Sequence, residues 1–116
     1  MKDVIRHIET EKKVYPIVFN LNVMEEIQEA YGSMDAWGDC VSGDGEPKIK
    51  DLKAGLLAMM NEAIDIENEE KGTSEPLLTS KQVGRIISEV GFEAITQAMM
   101  EITVASTKDG DEGKNA

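Results

Sequence analysis

Between Lys48 and Ile66 the apolar residues Ile49, Leu52, Leu56, Met59, Ala63 and Ile66 recur at intervals of three and four. That spacing sets all six on one face of a helix. Leu57, Met60 and Ile64 widen the face into a broad stripe. A stripe this wide must be covered, so the segment reads as the central helix of a small helical core. The rest of the chain has to supply what covers it.

The chain has 116 residues, 41% of them hydrophobic, which suits one domain with one core. No apolar run approaches the roughly 20 residues of a membrane span. Met1 to Thr10 carries charges where a signal peptide would have its apolar stretch, so a cytoplasmic location is expected. The single cysteine, Cys40, cannot form an internal disulfide, in keeping with a reducing compartment. Twenty-three acidic against 12 basic residues leave a formal charge of −11. Such a chain repels phosphate backbones and anionic lipid, which argues against nucleic-acid or membrane binding. The plain meaning of the charge is solubility. The sharper one is DNA mimicry toward a basic partner, although the acids are scattered rather than ranked in rows.

In chain order, Val4 to Thr10 and Lys13 to Phe19 are rich in β-branched and aromatic residues. They predict a β-hairpin turning near Glu11 and Lys12, leaning on the helices through Tyr15, Ile17 and Phe19. A short helix over Asp3 to Lys13 is the alternative. Asn22 with Glu25 then predicts a capping box for a first helix, whose inner side carries Val23, Met24, Ile27 and Tyr31 and which stops at Gly32. Ser33 caps a short second helix from Met34 to Val41 with Met34 and Trp37 inward. Ser42 to Pro47 reads as a loop. The central helix is expected to fray between Ile66 and Lys71, where carboxylates crowd its negative end. After a loop over Gly72 to Pro76, Thr79 with Gln82 opens a fourth helix with Val83, Ile86, Ile87 and Val90 inward, closed by Gly91. Phe92, Ile95, Met99 and Ile102 mark a fifth helix ending near Thr107. The expected fold is therefore mainly α, about five helices with an N-terminal β-hairpin. It forms one domain over residues 1–108, with a disordered tail over 109–116.

No catalytic constellation emerges, and the chain is not expected to be an enzyme or to hold a cofactor. His7, the only histidine, lies in the first strand without ligands at metal spacing. Cys40 has no base placed beside it by any sequence pattern. Glu62, Asp65 and Glu69 share a helix face and could meet a hard cation, but nothing there completes a shell, and a solvated face is the simpler reading. Asp39 to Glu46 fails the calcium-loop template, with valine and glycine at positions 41 and 43. The compositional oddity is seven methionines, four of them in the adjacent pairs Met59–Met60 and Met99–Met100. Neighbours on a helix point about 100° apart, so a narrow core cannot easily take both members. Either the core is wide, or some of these flexible side chains line an adaptable groove.

Phe19-Asn-Leu-Asn-Val-Met-Glu-Glu-Ile-Gln-Glu-Ala-Tyr-Gly32 is followed by Ser33-Met-Asp-Ala-Trp37, Ile49-Lys-Asp-Leu-Lys-Ala-Gly-Leu-Leu57 and Leu78-Thr-Ser-Lys-Gln-Val-Gly84. This ordered set, spanning about Tyr15 to Thr107, resembles the tail assembly chaperones of long-tailed bacteriophages, prophages and gene transfer agents. The resemblance implies a non-enzymatic protein that binds the tape measure protein, keeps its apolar helices soluble and helps recruit tail tube subunits. It also implies, for many members, a frameshifted longer form joined near the C-terminus. The family has no catalytic residues to carry over. A groove for the partner is expected between the first and last helices, at Met24, Ile27, Tyr31 and Met99, and self-association is compatible with the role. The alternative is an acidic adaptor or DNA-mimicking inhibitor of a basic protein.

Overall fold

The computed structural model describes the backbone of residues 4–42 and 48–115, and the side chains of 4–41 and 48–106. The fold is mainly α: a two-stranded antiparallel hairpin, β1 (Ile5–Glu9) and β2 (Val14–Val18), followed by five helices. These are α1 (Leu21–Tyr31), α2 (Met34–Ser42), α3 (Ile49–Lys71), α4 (Ser80–Val90) and α5 (Phe92–Asn115).

The hairpin forms in place of the alternative N-terminal helix, with Ile5 opposite Val18 and Glu9 opposite Val14. Its turn contains neither Asn-Gly nor Asp-Gly; Thr10 does that work. The Thr10 hydroxyl donates to the Lys13 carbonyl at 2.7 Å and accepts from the Lys13 N–H at 3.1 Å. Burial does not stop at the inward residues Tyr15, Ile17 and Phe19: in the second half of β2 and just after it, Pro16, Ile17, Val18 and Phe19 are all buried. This half of the strand packs along α3 and runs straight into the start of α1, so it keeps no face for water. The hairpin tip is tied down separately: the Glu11 N–H donates to the Glu89 carboxylate of α4 at 2.6 Å.

Asn20, not Asn22, caps α1, its side chain accepting from the Val23 N–H at 3.1 Å. Asn20 sits where the extended chain turns helical, and its amide also donates to Glu62 of α3 at 2.8 Å. Asn22 lies inside the helix and sends its own amide to the same Glu62 oxygen at 2.8 Å. The predicted Thr79–Gln82 capping box is present in both directions, at 2.8 and 3.3 Å. The predicted loop after α2 falls, from residue 43 on, outside the described residues.

α3 is the hub. It packs against β2, α1, α2 and α4, and Leu52, Leu56, Met59, Met60 and Ala63 are fully buried on it. The two ends of the predicted stripe differ from its middle: Ile66 is half-buried and Ile49 is exposed, although Asp51 and Leu52 in the same first turn as Ile49 are buried. The expected fraying after Ile66 does not occur. Asn68 receives the Glu75 N–H and the Thr73 hydroxyl at its carbonyl oxygen, at 3.0 and 2.9 Å, and donates its amide to the Glu75 carbonyl at 2.9 Å. Two turns earlier Asn61 grips Leu78 in the same way, at 2.7 and 3.1 Å. These two amides treat the segment after α3 as a strand would, and they hold the last turns of the helix that the crowded carboxylates would otherwise loosen. Gly72, at φ +65°, closes the helix in the left-handed region.

α5 buries Ile95, Met99 and Ile102 as predicted, but Phe92 at its first position is exposed. Its backbone runs on past Thr107 to Asn115, over most of the stretch expected as a tail. Gly110 and Gly113 each cost about 1 kcal/mol against alanine there, but neither forbids helical angles, and no proline intervenes. Ser106 is fully buried, and its hydroxyl has no hydrogen-bond partner among the described residues. Ser106→Ala is therefore expected to raise unfolding free energy by about 1 kcal/mol, read from urea denaturation.

Candidate functional site: an apolar groove beside the last helix

α5 makes its main contacts with α4 and with β1, and so crosses the domain without closing fully onto α2. The gap is a cavity of about 190 Å³. Trp37 and Val41 of α2 form one wall, Leu52 of α3 the floor, and Thr96, Met99, Met100, Thr103 and Val104 of α5 the other wall. Helical spacing explains the α5 wall: positions 96, 100, 103 and 104 lie on one side, next to the strip that Ile95, Met99 and Ile102 send into the core. Thr103 does not make this wall polar, because its hydroxyl donates to the Met99 carbonyl at 2.8 Å and leaves its methyl for the groove. Phe92, Met100 and Val104 are 39%, 57% and 60% exposed, an apolar edge along α5 that no other described element covers.

The opposite wall is rigid. Trp37 is buried, and its indole N–H donates to the Asp51 carbonyl at 3.0 Å. Its six-membered ring lies over Gly55, where a Cβ would come within 2.3 Å of it. The Ser33 hydroxyl accepts the Ala36 N–H at 3.0 Å and starts α2 at the angle that brings Trp37 down onto α3.

Asp51 has a second role. Its carboxylate accepts the Tyr31 hydroxyl at 2.5 Å, linking α1 to the start of α3. Burial first, then this hydrogen bond and the negative charge of Asp51, push the Tyr31 phenol up to about 12. The folded state thus holds the phenolic proton more tightly than the unfolded chain does. The resulting stability is complete below pH about 10 and is lost as pH rises through about 12. Urea denaturation stepped through this window should show a steeper fall for the natural chain than for Tyr31→Phe, which has no proton to lose there.

Of the four residues expected to form the groove, Met99 alone lines it. Ile27 is a core residue at 3% exposure, Met24 is half-buried against the core, and Tyr31 is engaged with Asp51. Trp37, Val41, Leu52 and Val104 carry no sequence mark for it, while Met100 stands among the paired methionines that could line a groove. The usable signal was the Met99–Met100 pair: one member is 2% exposed and the other 57%, whereas both members of Met59–Met60 are fully buried. Mild peroxide should therefore oxidise Met100 well before Met59, Met60 or Met99 in the folded protein, as followed by peptide mass spectrometry.

The remaining candidates are accounted for locally. The His7 side chain is half exposed, with Nε2 3.9 Å from a Glu67 oxygen. Cys40 is half-buried. Glu62 is occupied by the Asn20 and Asn22 amides. No cluster of three or more potential metal ligands occurs among the described residues, and none of their helices is long and apolar enough to cross a membrane. Comparison with known proteins finds no matching family model, no similar curated protein and no similar solved structure.

Proposed function

We propose that the protein is a non-enzymatic tail assembly chaperone of the phage or prophage type. In this reading it binds the tape measure protein in the host cytoplasm and helps recruit tail tube subunits around it. The observation that carries the reading is the groove: an apolar gap with one fixed wall, Trp37 on Gly55, and one adaptable wall, Met100 and Val104 on α5. A cavity of about 190 Å³ is comparable to the ~150 Å³ that accepts a benzene ring. It therefore has room for a large apolar side chain of a helix laid along α5. A tape measure protein offers many such side chains, in varied sequence. A methionine wall tolerates that variety because its side chains re-pack at small cost. The charge of −11 serves the same end, keeping a complex with a sticky partner in solution.

Co-expression with the tape measure protein of the same tail gene cluster tests this. The expected result is a soluble complex that survives gel filtration. Recovery of a basic nucleic-acid-binding protein instead, with the tape measure protein left insoluble, would replace the chaperone with the acidic adaptor.

A further inference from the structure

We propose that the shallow cleft between the first turns of α3 and the outer face of α4 is a second docking surface, whose occupant is a carboxylate-rich helical segment of another protein. The cleft is lined by Ile49 and Lys53 of α3 and by Lys81, Arg85 and Ser88 of α4. Lys81, Arg85 and Ser88 fall on one helix face, at intervals of four and three. Gly84 lies on the same face, and the Lys53 side chain of α3 reaches it. A Cβ there would lie 3.4 Å from both Cε and Nζ of Lys53, ordinary contact distance, so the lysine lies against this face of α4.

Three of the chain's 12 basic residues thus converge in a molecule of charge −11, and none of the three makes an ion pair among the described residues. The acid at the rim, Glu89, is already accepting the Glu11 N–H of the hairpin tip. Three cations beside a single carboxylate leave a local excess of positive charge, which an arriving anion relieves. The chemistry of that anion follows from two further features. A long polyanion such as nucleic acid would meet the acidic remainder of the surface, whereas a short carboxylate cluster need not. At the mouth of the cleft, Ile49 is 57% exposed, an apolar contact that a free inorganic anion cannot use and a peptide can. The cleft is separate from the groove: Leu52 lines the groove, while Ile49 and Lys53 lead into the cleft. The inference therefore stands or falls independently of the chaperone reading.

The test uses a fluorescein-labelled helical peptide with glutamates flanking a leucine stripe, beside its glutamine-for-glutamate counterpart, followed by anisotropy. The natural chain should bind the glutamate peptide, more weakly as salt rises. Lys53→Glu/Lys81→Glu/Arg85→Glu should weaken it about tenfold or more and abolish the salt dependence. Ile49→Ser should weaken it about threefold, and Met100→Lys/Val104→Lys should leave it unchanged. The surface is not a carboxylate dock if the glutamine peptide binds equally well. The same follows if the triple variant, with an unaltered melting curve, keeps the natural affinity. Complete displacement by phosphate at matched ionic strength would assign the cleft to a free anion. Self-association of the natural chain, lost in the triple variant, would assign it to a second copy; either result overturns the proposed occupant.

Discussion

Gly55→Ala is expected to destabilise the protein by about 2 kcal/mol, although alanine is the better helix former by about 1 kcal/mol. The added methyl would stand 2.3 Å from Cζ2, 2.8 Å from Cε2 and 3.0 Å from Nε1 of Trp37. None of these atoms is the loose end of a flexible chain. The indole is buried, and moving it stretches its 3.0 Å bond to the Asp51 carbonyl. Overpacking of this kind costs about 1–3 kcal/mol, and a buried indole N–H left without its acceptor adds about 1–3 kcal/mol. Together they outweigh the helix-propensity gain. For a domain of this size the melting temperature should fall by roughly 10 °C. Trp37 is the only tryptophan, so its emission reports the displacement without background and should shift to the red. Trp37→Leu introduced with Gly55→Ala should recover part of the loss, since the smaller side chain leaves space for the methyl. A raised melting temperature with unchanged emission would mean that the ring does not lie on Gly55.

That contact also shows where sequence reasoning was strong and where it stopped. The spacing of Leu52, Leu56, Met59 and Ala63 marked the central helix because a buried face repeats with the helix itself. Thr79 with Gln82 marked the start of α4 because a capping box is a local chemical pattern. Gly55 carried no such mark: a glycine in a helix interior reads as a mild cost until its ring partner, 18 positions earlier, is known. Asn61 and Asn68 were silent for the same reason, since each bonds backbone of the segment that follows α3 and an amide has no periodicity. Asn22 reads as the cap because Glu25 completes its pattern. The strand running into the helix decides otherwise, placing Asn20 at the residue where the backbone changes from extended to helical.

The groove was half legible. Its adaptable wall announced itself as two adjacent methionines that one narrow core could not absorb. Its location did not, because that depends on how far α5 diverges from α2, a matter of tertiary packing and not of either helix alone. Met24, Ile27 and Tyr31 share the inner side of α1, as predicted, but that side is spent on the core and on Asp51.

On the proposed chaperone reading, Met100→Lys/Val104→Lys is expected to weaken capture of the tape measure protein severely while leaving the fold intact. Both side chains are more than half exposed, at 57% and 60%, so their replacement should change stability by no more than about 0.5 kcal/mol. In the proposed complex, the same positions would face the bound helix. Each substitution removes apolar contact and asks an ammonium group to give up water beside Trp37 and Leu52. Anchors of this kind are worth about 1–2 kcal/mol each, so the pair should lower affinity roughly a hundredfold. Met99→Lys is a poorer probe, because Met99 is 2% exposed and its loss would unsettle the core. The informative comparison is Met24→Lys, from the side of α1 where the groove was first expected. It should bind the tape measure protein as the natural chain does, once matched for melting temperature. Were Met24→Lys to lose binding while the α5 pair kept it, the partner would lie along α1, and the gap beside α5 would be a packing defect with no occupant.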